Sequence, residues 1–488
     1  MASVLSVASI TAFAAEAPAD GVVLRVSAQK KDGTPVAIEN GDYKNFAEGW
    51  EAAVDYAEDD DFMYENGLDR IVVDLFANWK ANKDGEFGKS SWDGFQYSTI
   101  IVPSGTRMTL NLNGHTINRG LTEWKWNGEV IFVANKADVI INKGTITGGW
   151  SGGGAGGIHI DDNAKVELND VHIDGNISDD DDGGGIAIYD KATLIMNGGS
   201  FKNNSVDGFV TSSDHEIFAR SYYGGAIYVE DSTVKFKNVE FKNNQTTTES
   251  NHGAAIYADD SEIEMVGCIF DGNGIENKSK NIYPAYSVIY AEDSRLDIRD
   301  TTFTNNGAKK TGAPDIGYTS VIALDNSKLV MHKDAADNKF SNNNCYFLIN
   351  DADNSEIFVG NTDFLNNAAS VLYGDNQTTS DSCFRNCEFN NNVCGDFVSF
   401  YDVNTTLTFY DCDMGDSTYD DTKYLRFVEN GVEKKTTTGS IFGEGSLAMI
   451  VSLVALIASV AALIVNVSSK KKAVPTTAKN AAETNNEE

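Results

Sequence analysis

From about residue 130 to residue 415 one short pattern recurs: a Gly-Gly-Ala-Ile-like strand start, an acidic turn, a second short strand, then Phe-x-x-Asn. It is plainest where Gly224-Gly225-Ala226-Ile227-Tyr228 leads to Phe241-Lys242-Asn243-Asn244, and where Gly253-Ala254-Ala255-Ile256-Tyr257 leads to Phe270-Asp271-Gly272-Asn273. Near-identical units of this size stack on one another and serve as a scaffold or a binding surface, so the repeat constrains both fold and function.

The period is counted on the apolar residue ahead of each Asn. Ile117, Ile146, Ile173, Phe201, Phe241, Phe270, Phe303, Phe340, Phe364, Phe389 and Met414 follow one another at intervals of 24 to 40 residues, most of them 24 to 29. That is too short for propeller blades, and the helical half of a leucine-rich repeat is missing. Within each unit the alternation has period two, as in Val234-x-Phe236 and Leu296-x-Ile298, which specifies strands. The fold class expected is therefore all-β: a right-handed parallel β-helix solenoid of about ten coils. Coils about 4.8 Å apart would put equivalent residues directly over one another, turning the recurring Phe into an internal aromatic stack. The matching column Asn176, Asn204, Asn244, Asn273, Asn306, Asn343, Asn367 and Asn392 is expected at tight left-handed corners, each amide bonding the next.

With these residues in hand, Gly-Gly-Ala-Ile followed by Phe-x-x-Asn resembles the repeat pair of polymorphic outer-membrane proteins of the chlamydial type. Residues 70–415 as a whole resemble the pectate-lyase-like right-handed β-helix superfamily. The first resemblance implies surface display and adhesion. The second includes lyases and hydrolases of acidic polysaccharides. Those outer-membrane proteins end in a membrane β-barrel, whereas this chain ends in an apolar segment.

That segment, residues 446–467, carries no charge and is followed by Lys470-Lys471-Lys472. Its length matches a bilayer crossing, and the lysines mark the cytoplasmic side. Residues 1–14 hold an apolar run closing in Ala12-Phe13-Ala14, which reads as a signal-peptide-like segment lacking a basic start. The domain map is then 1–14 signal-like, 15–70 N-terminal cap, 71–415 parallel β-helix, 416–445 terminal cap and stalk, 446–467 transmembrane helix and 468–488 cytoplasmic tail. Within the cap, Asn45 to Ala57 places Phe46, Trp50, Ala53, Val54 and Tyr56 at helical spacing, suited to covering the first coil. The localisation expected is the cell surface, single-pass, with the ectodomain outside.

Charge narrows the partners. Against 72 acidic residues stand 38 basic ones, a net of −34, which excludes nucleic acid and anionic membrane surfaces as targets. All six cysteines lie between 268 and 412, and Cys387 and Cys412 fall on equivalent positions of adjacent coils, where either a disulfide or stacked free thiols would fit.

Three groups of residues are candidates for chemistry. The acidic pair after each first strand, notably Asp259, Asp260, Glu292 and Asp293, stacks oxygen ligands in rows that suit calcium; a solvated turn is the plainer alternative. No other cofactor is implied. Tyr228, Tyr257 and Tyr290 occupy one column beside Ile227, Ile256 and Ile289 and would form an outward aromatic ladder. Trp124 and Trp126 lie in an irregular stretch between early strands, and all six tryptophans fall within residues 50–150. Such aromatics stack on sugar rings or anchor a protein partner. Asp214, His215 and Arg220 gather in the long insertion before Gly224 and form a weak catalytic candidate: a lyase needs carboxylates to hold calcium and a basic group to take the proton. The reading that follows is a surface-anchored, adhesin-like binding protein for glycans or cell-surface proteins, with a membrane-tethered polysaccharide lyase or hydrolase as the alternative.

Overall fold

Each coil of the repeat begins with a three- to seven-residue strand whose alternate side chains point inward, and eleven of these strands, from Ile100–Val102 to Val398–Phe400, form one parallel sheet. A second, longer sheet carries the next part of each coil. In three successive coils this part is a single strand, Asp138–Thr147, Lys165–Asp174 and Thr193–Lys202; before and after them it divides in two, as in Arg107–Asn111 with Thr116–Asn118 and Thr233–Lys237 with Glu240–Lys242. A short third sheet joins Trp150–Ser151, Ile177–Asp179, Ser205–Asp207 and Gln245–Thr246. The result is a right-handed β-solenoid with its core running along the axis. The computed structural model describes residues 19–81, 99–179, 181–207, 209–211, 217–219, 223–246, 252–274, 287–307, 319–332, 338–374, 382–392, 398–400, 406–415 and 425–434. The signal-like segment 1–14, the transmembrane segment 446–467 and the tail 468–488 lie outside these residues, and among the described residues no helix is long and apolar enough to cross a membrane.

The apolar column counted from sequence is one register line. Ile117, Ile146, Ile173, Phe201, Phe241, Phe270, Phe303, Phe340, Phe364 and Phe389 are successive strand partners. From Phe201 onward the rings stack at centroid spacings of 4.5 to 5.0 Å with interplanar angles of 2° to 18°, all fully buried.

The asparagine column is buried and continuous, but its backbone role differs from the one expected. In each step the main-chain N–H and the side-chain Nδ2 of one Asn both donate to Oδ1 of the next, from Asn176 through Asn204, Asn244, Asn273, Asn306, Asn343 and Asn367 to Asn392, at 2.9 to 3.2 Å. The second Nδ2 hydrogen goes to the carbonyl of the apolar-column residue of the preceding coil, Ile146 and Ile173 for Asn176 and Asn204 and a Phe thereafter, as from Asn244 to Phe201 at 2.9 Å. The left-handed residue is the one before: Asn203, Asn243, Asn305, Asn342, Asn366 and Asn391 have φ of 54° to 57°. Of two adjacent corner residues, one bends the chain and the other ties the coils.

At the N-terminal end, helix α1 (Phe46–Glu58) starts on Asn45, whose side chain accepts from Ala47 N at 2.8 Å, and it buries Phe46, Trp50, Ala53 and Ala57. Trp50 Nε1 donates to the Ile101 carbonyl at 3.2 Å, fixing the helix to the first coil of the eleven-stranded sheet. Two strands missed in the sequence precede it: Leu24–Lys30 and Pro35–Tyr43 form a hairpin, and Leu24–Lys30 runs antiparallel to Leu68–Leu75, which starts the parallel stack on Arg107–Asn111. At the other end stacking continues past residue 415. Leu425–Glu429 pairs in parallel on Leu407–Tyr410, and Val432–Lys434 folds back antiparallel over it.

Candidate functional site

The tyrosine column is present, but it does not form the open ladder expected. Ile227, Ile256 and Ile289 face the core, and Tyr228, Tyr257 and Tyr290 face outward, stacked at 5.5 Å and 11°, then 5.2 Å and 7°. The ladder extends through Tyr189, His159 and Phe132 at 5.6, 5.2 and 4.9 Å; Tyr189 reaches over Ala187, which occupies the column between His159 and Tyr228. A second layer then covers it. Tyr223 lies on Tyr257 at 4.3 Å and His252 against Tyr290 at 4.4 Å, leaving Tyr228 and Tyr257 only 8% and 5% exposed. Alternation sets the direction of a side chain; what lies over it comes from the segment ahead of the strand. The rings form a second apolar cluster with Ala155 and Ala187, so Tyr228 and Tyr257 are not a contact surface.

The acidic turns complete this layer. Tyr228 donates to Glu230 at 3.1 Å, Tyr257 to Glu292 at 2.6 Å and Tyr290 to Asp325 at 3.4 Å, and burial holds all three phenols protonated above their usual range. The second member of each pair occupies a left-handed corner: φ is 46° at Asp260 and 47° at Asp293. Asp259 and Glu292 are strand partners, and burial together with the Glu292 charge pushes the Asp259 carboxyl up to about 6. Among the described residues no three His, Cys, Asp or Glu side chains are arranged to hold a metal ion. Of the four expected ligands, Glu292 is held by the Tyr257 hydroxyl and Asp293 accepts from Asn326 Nδ2, while Asp260 and Asp293 sit at left-handed corners.

Two exposed indoles lie in an irregular connection. Between strands Thr116–Asn118 and Ile131–Val133 the chain bends at 122–123 and turns at 126–127, bridging the start of the third sheet at Lys125: Lys125 N donates to Trp150 O at 3.0 Å, and Gly152 N to Lys125 O at 2.8 Å. Trp124 is 52% and Trp126 65% exposed, against near-complete burial of Tyr228 and Tyr257. Their inner edges rest on glycine backbone. A Cβ at Gly152 would lie 2.8 Å from Cε3 of Trp124, and one at Gly153 would lie 2.7 Å from the Trp126 carbonyl and 3.2 Å from its Cε2. Any larger residue there would lift the indoles.

Polar groups support and border this pair. Ser151 Oγ donates to Glu129 Oε2 at 3.3 Å and accepts from Gly153 N at 3.3 Å, and burial pushes the Glu129 carboxyl up to about 7. Ser178 Oγ lies 3.0 Å from the Gly154 carbonyl and 2.7 Å from that of Asp181, which brings the acidic turn ending in Asp182 up to the glycine loop. Asp182 accepts from Tyr223 N at 2.5 Å, and its carboxyl is pushed up to about 7 by burial, with the Asp181 charge adding to it. Lys125 pairs with Glu123 at 2.9 Å on the open rim. Glu129 went unnoticed in the sequence, its only signal an acid directly before the apolar run Val130-Ile131; the run Asp179 to Asp182 reads from sequence as a hydrated loop, and the structure instead draws Asp182 inward under Tyr223. Asp214, His215 and Arg220 lie outside the described residues.

Residues 80–275 match the family model described as a right handed beta helix region, and the solenoid described here continues the same architecture to residue 429. The pectate-lyase-like architecture is consistent with this match, which concerns the fold; the likeness to outer-membrane protein repeats rests on the motif alone. No curated protein and no solved structure matches the chain.

Proposed function

We propose, from the premise of a right-handed β-helix, that this chain is a surface-anchored, adhesin-like binding protein whose contact surface is the Trp124 and Trp126 ledge. The observation that carries the reading is the pairing of two largely exposed indoles with a side-chain-free glycine backing on a rigid coil. Flat aromatic surface with the Lys125–Glu123 pair on its open rim suits the apolar face of a sugar ring or a planar group on a protein partner. The anchoring part of the proposal draws on the sequence: the uncharged 446–467 segment with lysines beyond it, and the apolar 4–14 run. The net charge of −34 favours neutral or basic ligands over acidic polymers. The test is to probe glycan and cell-surface-protein arrays with the full chain and with W124A/W126A. Expected is binding that falls at least about tenfold, or about 1.4 kcal/mol, in the variant; undiminished binding by the variant would reject the ledge.

A second reading, a membrane-tethered polysaccharide lyase or hydrolase, draws support from Asp259, whose carboxyl stays protonated to about 6 beside Glu292. A general acid near neutrality needs that shift. Incubating the full chain with neutral and uronic polysaccharides, with and without calcium, and assaying reducing or unsaturated ends tests it. Product that disappears with D259N would replace the binding reading.

A further inference from the structure

At one corner of the long sheet each later coil sets a left-handed residue before a residue that faces the next coil. The sequence of pairs is Asn238-Val239, Gly267-Cys268, Asp300-Thr301, Asn361-Thr362, Asn386-Cys387 and Asp411-Cys412, with φ between 50° and 69° at the first members except Asn361, at 42°. Through the middle of the rod this column is tied by side-chain hydrogen bonds: Cys268 N donates to Thr301 Oγ1 at 3.4 Å, and Thr301 N to Asn338 Oδ1 at 3.1 Å. At the last two positions both partners are cysteines. Asp413 N donates to the Cys387 carbonyl and Phe389 N to the Asp413 carbonyl, both at 2.8 Å, which fixes the coils of Cys387 and Cys412 against each other. The thiols are free in the structure, with Cys387 buried and Cys412 partly exposed, and they contact each other.

We propose that Cys387 and Cys412 are an oxidation site, joined by a disulfide that staples the last full coil to the one before it. Neighbouring strands run about 4.8 Å apart, inside the Cα separation a disulfide spans, and identical corner geometry points the two side chains the same way. The middle of the column offers no such partner, since Cys268 faces Thr301. Cys345 packs in another column, against Gly307. The oxidant is a small-molecule disulfide such as oxidised glutathione. The Cys412 thiolate attacks one sulfur, a glutathione thiolate leaves and takes up the proton lost by Cys412, and a mixed disulfide forms. The Cys387 sulfur, deprotonated in turn, then displaces the second glutathione, so two protein thiols are oxidised and one disulfide is reduced to two thiols. Cys412 is the attacking group because it is the more accessible, and the Cys387 thiol hydrogen-bonded to it lowers its pKa, whereas burial raises that of Cys387. The staple lies next to the hairpin Leu425–Lys434 that closes the rod, where fraying would start.

The experiment equilibrates the full chain with excess oxidised glutathione or with dithiothreitol, alkylates under denaturing conditions and maps peptides by mass spectrometry alongside thermal melts. Expected are a Cys387–Cys412 cross-linked peptide only after oxidation, and a melting temperature a few degrees higher, a rise absent in C412S. Alkylation of both cysteines in oxidised protein that retains its β-sheet circular dichroism would overturn the proposal, as would a cross-link from either one to Cys383 or Cys394. Should C412S fail to fold, the wild-type peptide map decides alone.

Discussion

Two stretches of the same rod differ in what they do with aromatic side chains. From Phe201 to Phe389 the internal column is phenylalanine, and aromatic rings are hidden on both sides of the coil wall: the phenylalanines inside, Tyr228 and Tyr257 beneath Tyr223 and its neighbours. From Asn118 to Gly154 the internal column is isoleucine, its register continues, and the irregular connection between strands Thr116–Asn118 and Ile131–Val133 leaves Trp124 and Trp126 in solvent. Aromatics in the register columns are spent in holding coil to coil; those in an irregular connection are left facing solvent. The comparison assigns stability to the stacked columns and contact to the connection.

The largest effect expected is at the stack. Phe270→Ala removes a ring packed between Phe241 and Phe303 and should cost about 3–5 kcal/mol in denaturant unfolding. A cost under about 1 kcal/mol would deny the stack its role. Next is the internal asparagine ladder. Asn273→Ala leaves two donors of Asn244 and the Phe241 carbonyl without partners, and a loss of about 2–3 kcal/mol is expected. Asn169→Ala sits in the half-exposed ladder Asn111, Asn142, Asn169 and Asn197, where water replaces the lost bonds, so about 1 kcal/mol or less is expected. Equal losses at both would erase the distinction between inner and outer ladders.

The pH dependence is smaller and has a definite sign. Glu129 and Asp182 hold their protons in the folded chain to about pH 7 and Asp259 to about 6, whereas in the unfolded chain each releases near 4. These three carboxyls therefore bind more protons in the folded chain between pH 4 and 7 and draw stability down as pH rises, while burial lowers His159 and His252 to about 4, so that these two oppose the trend below about pH 6.5 and leave the net fall to the carboxyls. Melting temperature should be higher at pH 5 than at pH 8, and Glu129→Gln should flatten the slope; a curve rising from pH 5 to 8 would contradict the burial of these groups. Smallest in stability, by design of the comparison, is Trp124→Ala with Trp126→Ala. A change within about 0.5 kcal/mol is expected, alongside the loss of binding described above.

The solenoid was legible because periodicity is a property of one column at a time. The phenylalanines and asparagines announce their register without reference to any neighbour. Which asparagine bends the chain was not legible, since Asn203 and Asn204 are the same residue type and only φ separates them. The fate of Tyr257 was hidden for a different reason: its direction follows from alternation with Ile256, but its cover comes from Tyr223, a residue of the preceding coil with no fixed spacing to it. Trp124 and Trp126 were picked out because they sit where the pattern fails. Glu129 was not, because a single acid before a strand looks like any solvated turn until Ser151 closes over it.

Hydroxyl-radical footprinting of the full chain, read residue by residue, tests the central claim most directly, with the fully exposed Tyr64 and the buried Trp50 as internal standards. The account predicts fast oxidation at Trp124 and Trp126, slow oxidation at Trp50, and oxidation of Tyr228 and Tyr257 far slower than Tyr64. Tyr228 and Tyr257 reacting at the rate of Tyr64, or Trp124 and Trp126 as slowly as Trp50, would contradict it.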